Sequence, residues 1–335
     1  MIQYRYEICN MAGGFPLIFA RELTKRYGEH LALDKVSFTI EEGQVVGLLG
    51  LNGAGKSTTM NILTGCISAT GGTVTIGGHD IASSPRQAKR ITGYLPEQPA
   101  FYPEMKVRDH LDFICGLKGV TSGRKAHIAD ICRQVGLEDK LGRMVRNLSK
   151  GYRQRLGLAQ ALVGKPRVII LDEPTVGLDP SQIVDIRLLI KDIGRHSTVI
   201  VSSHILSEIQ AVCARIIMLQ KGRLIADCST DEMAGRIASA SRVRIRVLGA
   251  AEEIMAALAQ IPGLNRVRQL AQMEPNTWDF ALECADGADI RVQIFKRLAA
   301  AGLPLLASSG GDASGSLEEA FLNLAASGIG EKDAP

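Results

Sequence analysis

The stretch Gly50-Leu51-Asn52-Gly53-Ala54-Gly55-Lys56-Ser57-Thr58 constrains this chain more than any other. It follows the apolar run Val45-Val46-Gly47-Leu48-Leu49, which reads as a strand. It precedes Thr59-Met60-Asn61-Ile62-Leu63, which reads as a helix. Glycine, four residues, then Gly-Lys-Ser between a strand and a helix is the phosphate-binding P-loop. Its glycines let the backbone turn tightly and bring N–H groups onto phosphate oxygens. The new helix adds the positive end of its dipole. Gly50, Asn52, Gly53, Ala54, Gly55 and Thr58 are the expected cradle. Lys56 is expected to reach the β- and γ-phosphates, and Ser57 to ligate Mg²⁺.

With 335 residues, the chain is long enough for a full core and two domains. Apolar residues make up 46% and charged residues 22%, an ordinary globular balance. No apolar run approaches the ~18 residues that cross a bilayer. Met1 to Phe19 lacks the pattern of a signal peptide, so residues 1–16 read as an extension, with Met11 an alternative start. A net charge of +4 without a Lys/Arg block argues against a nucleic-acid partner. The seven cysteines are scattered and form no Cys-x-x-Cys pair. This argues against a zinc site and a disulfide framework, and for reduced, mostly buried thiols in the cytoplasm.

Residues 17–49 alternate apolar and polar, with turns at Tyr27-Gly28 and Glu42-Gly43, as antiparallel strands do. Tyr27, at a strand end, is either a half-buried strand aromatic or a stacking face for a base. Gly71–Gly78 and Ile91–Pro96 read as further strands. From about residue 100 to 165 the period turns helical, with Val107, Leu111, Ile114 and Leu117 on one face. Continuous apolar runs then return at Val168–Leu171, Val199–Val201 and Ile216–Leu219. Such runs suit strands buried on both faces. Together they predict a doubly wound α/β core with its ligand at the C-terminal strand ends.

A polar stretch over 227–241 marks a boundary. Beyond it, Val243, Ile245 and Val247 alternate with Arg242, Arg244 and Arg246, which reads as a solvated sheet face. A helix over Ile254–Ile261 and strands near 266–270 and 278–282 follow. A helix marked by Ile290, Ile294 and Leu298 and a last strand over Gly302–Ala307 complete the series. The order β-α-β-β-α-β predicts a small ferredoxin-like α+β domain within 241–335. Ser316-x-x-Glu319 reads as the cap of a terminal helix carrying Leu317, Phe321 and Leu324.

Asp172-Glu173 follows the strand Val168–Leu171, the place of a Walker B acidic pair downstream of a P-loop. Asp172 is expected to hold Mg²⁺. Glu173 can face the γ-phosphate, where it would orient and deprotonate the attacking water, a contribution of ~10²–10⁴-fold in rate.

Several motifs then resemble those of the ATP-binding subunits of ABC transporters. Asn147-Leu148-Ser149-Lys150-Gly151-Tyr152-Arg153-Gln154-Arg155 is similar to the family signature, with Lys150 and Tyr152 in place of the commoner Gly and Gln. Ile170–Thr175 with Gly177-Leu178-Asp179-Pro180 resembles its Walker B and D-loop, and Ser202-Ser203-His204 its switch histidine. The resemblance covers residues ~17–230, with the motifs in family order. It implies a P-loop NTPase of ABC type, with an antiparallel β-subdomain and a helical insert over about 100–165, that hydrolyses ATP with Mg²⁺. It further implies a head-to-tail dimer, of identical chains or with a similar ATPase, in which Lys56 of one chain and Ser149 and Gly151 of the other hold one ATP. On the same resemblance Tyr27 stacks on adenine, His204 contacts the γ-phosphate, and Asp179 communicates across the interface. By itself His204 reads more readily as an ordinary helix-start histidine. In Gly93-Tyr94-Leu95-Pro96-Glu97-Gln98, Gln98 is the expected Q-loop ligand of Mg²⁺, with Glu97 the alternative.

The signature and the Ser316–Leu324 run look most like an exporter branch that includes gliding-motility, drug-resistance and sodium-efflux ATPases. The resemblance therefore implies a subunit on the cytoplasmic face of the membrane that powers a separate transmembrane permease. The alternative is a non-transport ABC ATPase acting on ribosomes or DNA, but the single P-loop and the absence of sustained heptads count against it. A regulatory module that binds nucleotide without hydrolysis is opposed by Glu173.

Overall fold

The computed structural model describes residues 16–233, 242–284 and 290–309. The expected N-terminal extension, apart from Pro16, and the expected helix over 316–324 lie outside the described residues. The chain divides into two compact units, Met1–Thr230 and Asp231–Pro335.

The first unit holds two sheets. Strands β1 (Ile18–Tyr27), β2 (His30–Ile40), β4 (Gly71–Ile76) and β5 (His79–Asp80) form an antiparallel sheet in the order β2-β1-β4-β5. The second sheet uses β3 (Val45–Leu49), β6 (Thr92–Leu95), β7 (Val168–Leu171), β8 (Thr198–Ser203), β9 (Arg215–Gln220) and β10 (Arg223–Ser229). Its order is β10-β9-β3-β8-β7-β6, parallel throughout except for the antiparallel edge strand β10. Every residue of β7 and β8 is buried, as continuous apolar runs in a covered parallel sheet require. Leu23, Leu33, Ile40, Leu48, Met60, Ile170 and Ile217 share one core beneath both sheets.

Helix α1 (Lys56–Leu63) leaves the end of β3 through the Gly-rich loop, and α2 (Pro85–Arg90) precedes β6. The helical insert is α3 (Val107–Leu117), α4 (Arg124–Val135) and α5 (Lys150–Leu162). Helix α6 (Pro180–Gly194) crosses from β7 to β8, and α7 (Leu206–Val212) follows β8. The ends of β3, β7 and β8 thus deliver the P-loop, Asp172-Glu173 and His204 to one edge of the sheet, as parallel topology dictates.

The second unit runs β11 (Arg242–Leu248), α8 (Ala251–Leu258), β12 (Leu264–Glu274), β13 (Thr277–Cys284), α9 (Arg291–Ala300) and β14 (Leu305–Ser309). Its sheet order is β12-β13-β11-β14 with every pair antiparallel, the ferredoxin-like arrangement. Ile245, Val247, Phe280 and Leu282 pack under Ile254, Leu258, Ile294 and Leu298. Arg244 is exposed, and Arg246 makes a bidentate pair with Asp279 directly across the strand pair, at 2.7 and 3.0 Å. The last strand begins later than its apolar pattern suggests. The chain first closes α9 by donating the Leu303 N–H to Leu298 O at 2.9 Å, and Pro304 follows.

Cys115, Cys132 and Cys213 are buried free thiols. Burial pushes Cys132 up to about 11 and Cys213 up to about 12, so they pack as small apolar residues.

Candidate functional site

The P-loop wraps a cleft of about 440 Å³ lined by Asn52, Gly53, Gly55, Lys56, Ser57 and Thr58, with Tyr27, Glu97, Glu173 and His204 around it. Gly55 enters α1 with φ +104, and a Cβ there would lie 2.7 Å from Leu33 Cδ2 and 2.9 Å from Ala32 O. Only glycine fits both the backbone and the space. Gly50 and Ala54 shape the loop without lining the cleft. The Gly50 carbonyl accepts a 2.8 Å bond from Lys56 Nζ, and Ala54 is buried with its carbonyl on Gly222 N–H.

Lys56 and Glu173 meet at the cleft floor. Lys56 is 6% exposed and Glu173 8%, and Nζ lies 3.4 Å from Oε1. Glu173 Oε2 lies 3.0 Å from His204 Nδ1. Glu173 has φ +48, a region that non-glycine residues occupy only when their surroundings hold them there. Ser202 is part of that hold. Its hydroxyl accepts from Glu173 N–H at 2.8 Å and donates to Asp172 Oδ1 at 2.6 Å. Neighbouring residues of one turn are thus fixed by a single side chain from β8.

Asp172 is 3% exposed. Burial raises its pKa, the charges of Glu173 and Glu97 add to the rise, and bonds from Ser202 and Ser57 oppose it. Among the described residues no three His, Cys, Asp or Glu side chains converge as a ready metal cage, but Asp172, linked to Ser202 and Ser57, and the cleft-lining Glu97 are hard oxygen donors of the kind Mg²⁺ takes beside substrate phosphates. Of the two Q-loop candidates, Glu97 lines the cleft and Gln98 does not. The chain leaves buried Leu95 through Pro96, and the first residue after the proline takes the cleft side.

Tyr27 stands at the cleft mouth, 49% exposed, with Lys25 Nζ 5.1 Å from its ring centroid. Its hairpin partner His30 also lines the cleft, together with Ala32 and Val176. Sequence reasoning missed these three. The tight Tyr27-Gly28 turn is the signal that places His30 opposite Tyr27.

Ser149, Gly151 and Asp179 do not line the cleft. Ser149 Oγ accepts from Tyr152 N–H at 3.5 Å as the cap of α5. A Cβ on Gly151 would sit 2.7 Å from Gln182 Oε1, so α5 and α6 touch there backbone to side chain. Asp179 caps α6, accepting from Gln182 N–H at 2.9 Å and Ser181 Oγ at 2.7 Å. The Ser181 bond, then the Gln182 bond, hold its carboxyl below the usual aspartate range. Gln154, one turn into α5, donates to Pro174 O at 2.7 Å, which joins the signature helix to the turn bearing Glu173.

A second cavity, about 950 Å³, opens between the core and the helical insert. Its apolar walls include Tyr94, Pro96, Ile114 and Leu117, and Arg86, Lys89, Arg90 and Lys118 stand around it.

Comparison with known proteins agrees with this geometry. The family profile described as ABC transporter matches residues 33–176. The linearmycin resistance ATP-binding protein LnrL of Bacillus subtilis is 31% identical over 75% of this chain and 81% of that protein. The bacitracin transport ATP-binding protein BcrA of Bacillus licheniformis is 35% identical over 66% of this chain and 72% of its own length. Among solved structures, an ATP-binding subunit of an ABC transporter superposes with a TM-score of 0.61 at 29% identity, covering 66% of this chain and 92% of that one. A dimeric ATP-binding cassette in a post-hydrolysis state with ADP and phosphate gives 0.59 at 26% identity, covering 64% and 98%.

Proposed function

The chain belongs to the ABC transporter ATP-binding family, and from that premise we propose that two copies close around two ATP molecules and use their hydrolysis to drive export through a separate permease. The observation that carries this reading is the position of Glu173 between Lys56 and His204 at the cleft floor, while Ser149 and Gly151 stand outside the same chain's cleft. A γ-phosphate bound here would take Lys56 away from Glu173 and leave that carboxylate to accept a proton from water. His204 would hold Glu173 in orientation and meet the phosphate. The free N–H groups of α5, with the Ser149 hydroxyl, would complete the pocket from a second chain, where a helix start suits an anion. Ser57, Asp172 and Glu97 would hold Mg²⁺, which when bound offsets phosphate charge. Tyr27 would stack on the adenine. Asp179 would sense the partner through α6.

Closure favours the bound state only by its extra contacts to the γ-phosphate, so cleavage of that phosphate releases it. The apolar groove between core and insert supports docking of a permease segment, which would put this subunit on the cytoplasmic face of the membrane. Among the described residues no helix is long and apolar enough to cross a bilayer. The names of the linearmycin resistance and bacitracin transport relatives support export.

The test is Glu173→Gln. Turnover of magnesium-ATP should fall ~10²–10⁴-fold while ATP binding persists. Turnover at the wild-type rate would remove Glu173 from the role of base.

A further inference from the structure

Glu208 lies on α7, outside the cleft lining, and is 8% exposed. Its Oε2 accepts from Thr175 Oγ1 at 2.7 Å and from Ser203 Oγ at 3.0 Å. Thr175 stands two residues after Glu173, and Ser203 immediately before His204. One oxygen therefore fastens the turn that carries Glu173 to the strand end that carries His204. Both hydroxyls donate to this one oxygen, and Ser203 Oγ in turn accepts from Ile205 N–H at 3.0 Å. On the other side, Arg187 of α6 brings Nη2 to 3.9 Å from Glu208 Oε1.

A buried carboxylate is costly to desolvate, and an apolar residue would fill the same space without that cost. What the carboxylate adds is a fixed separation between two chain segments. Glu173 holds its left-handed backbone only because its surroundings over-determine it. Ser202 restrains the Glu173 N–H directly. Glu208 restrains the same turn from Thr175.

We propose that Glu208 is a positioning residue for hydrolysis, which sets the Glu173–His204 contact and ties it through Arg187 to α6, the helix that Asp179 caps and whose Gln182 covers Gly151. The inference rests on Glu173 and His204 acting together at the γ-phosphate.

The experiment measures magnesium-ATP turnover, ATP affinity and thermal midpoint for the full chain with Glu208→Ala and Glu208→Gln, each alone and combined with His204→Ala. Glu208→Ala should lower kcat about tenfold to a hundredfold, as sub-ångström misplacement of reacting groups does, with Kd for ATP changed less than about twofold. Glu208→Gln keeps an acceptor oxygen and should recover most of the rate. In the His204→Ala background the loss caused by Glu208→Ala should vanish, because groups acting through one another are not additive. If Glu208→Ala does not fold, Thr175→Val with Ser203→Ala removes both donors at nearly constant volume and should show the same loss. A kcat within about twofold of wild type, or a full additive loss on top of His204→Ala, overturns the proposal. Loss of activity in Glu173→Gln beside normal activity in Glu208→Ala would reject the role of Glu208 alone. Normal activity in Glu173→Gln would reject the reading of the site on which it rests.

Discussion

Lys56 Nζ lies 3.4 Å from Glu173 Oε1, with both side chains more than nine-tenths buried. The cation proposed to meet phosphate is therefore paired with the carboxylate proposed to activate water. Lys56→Ala should weaken ATP binding by about tenfold to a hundredfold, the loss of one charge-assisted contact of ~1.5–3 kcal/mol. Equilibrium titration with a fluorescent ATP analogue checks it. An unchanged affinity would mean that Lys56 serves the loop and not the ligand.

The cleft side of the turn after Pro96 belongs to Glu97. Glu97→Ala should raise the Mg²⁺ concentration needed for half-maximal turnover severalfold, because it removes one of the three proposed oxygen donors. Gln98→Ala should leave that concentration unchanged. A metal titration of turnover in both variants decides between them, and the reverse order would return the role to Gln98.

His110 gives a pH dependence away from the cleft. It is 1% exposed, against the rings of Phe101 and Tyr102, with Nε2 3.0 Å from Gln160 Oε1. Among the described residues its Nδ1 has no hydrogen-bond partner. Burial holds its pKa below the ordinary 6.5, and the Gln160 bond opposes that only in part. The unfolded chain therefore takes up a proton near 6.5 that the folded chain refuses. Stability should be full above that pH and fall as pH drops through it toward the folded value. Denaturant unfolding at about pH 7.5 and about pH 5.5 should show the loss, and His110→Leu should reduce it. An equal loss in the variant would assign the slope elsewhere, with His127, whose pKa burial also lowers, as the next group.

Much of this was legible in the sequence, for physical reasons. Val168–Leu171 is a continuous apolar run of the kind that suits a strand covered on both faces, and it is fully buried in the parallel sheet. Gly55 announced a backbone that other residues cannot adopt, and it has φ +104. The βαββαβ order of the C-terminal unit followed from alternation and turn residues alone. What escaped depends on contacts distant in sequence. Glu97 and Gln98 are both polar neighbours after a proline, and only the direction of the chain leaving β6 separates them. Glu208 sits in a helical pattern like any surface acid, and its burial appears only when the turn after β7, the end of β8 and α6 meet it. His30 needed the hairpin register that sets it across from Tyr27.

The central claim is that each ATP is held by two copies of this chain, and the most direct measurement is the molar mass of Glu173→Gln by light scattering with and without magnesium-ATP. The account predicts a monomer that becomes a dimer on adding ATP, and a Ser149→Arg, Glu173→Gln chain that still binds ATP but stays monomeric. A Glu173→Gln chain that remains monomeric while saturated with ATP, or a dimer indifferent to Ser149→Arg, would contradict it.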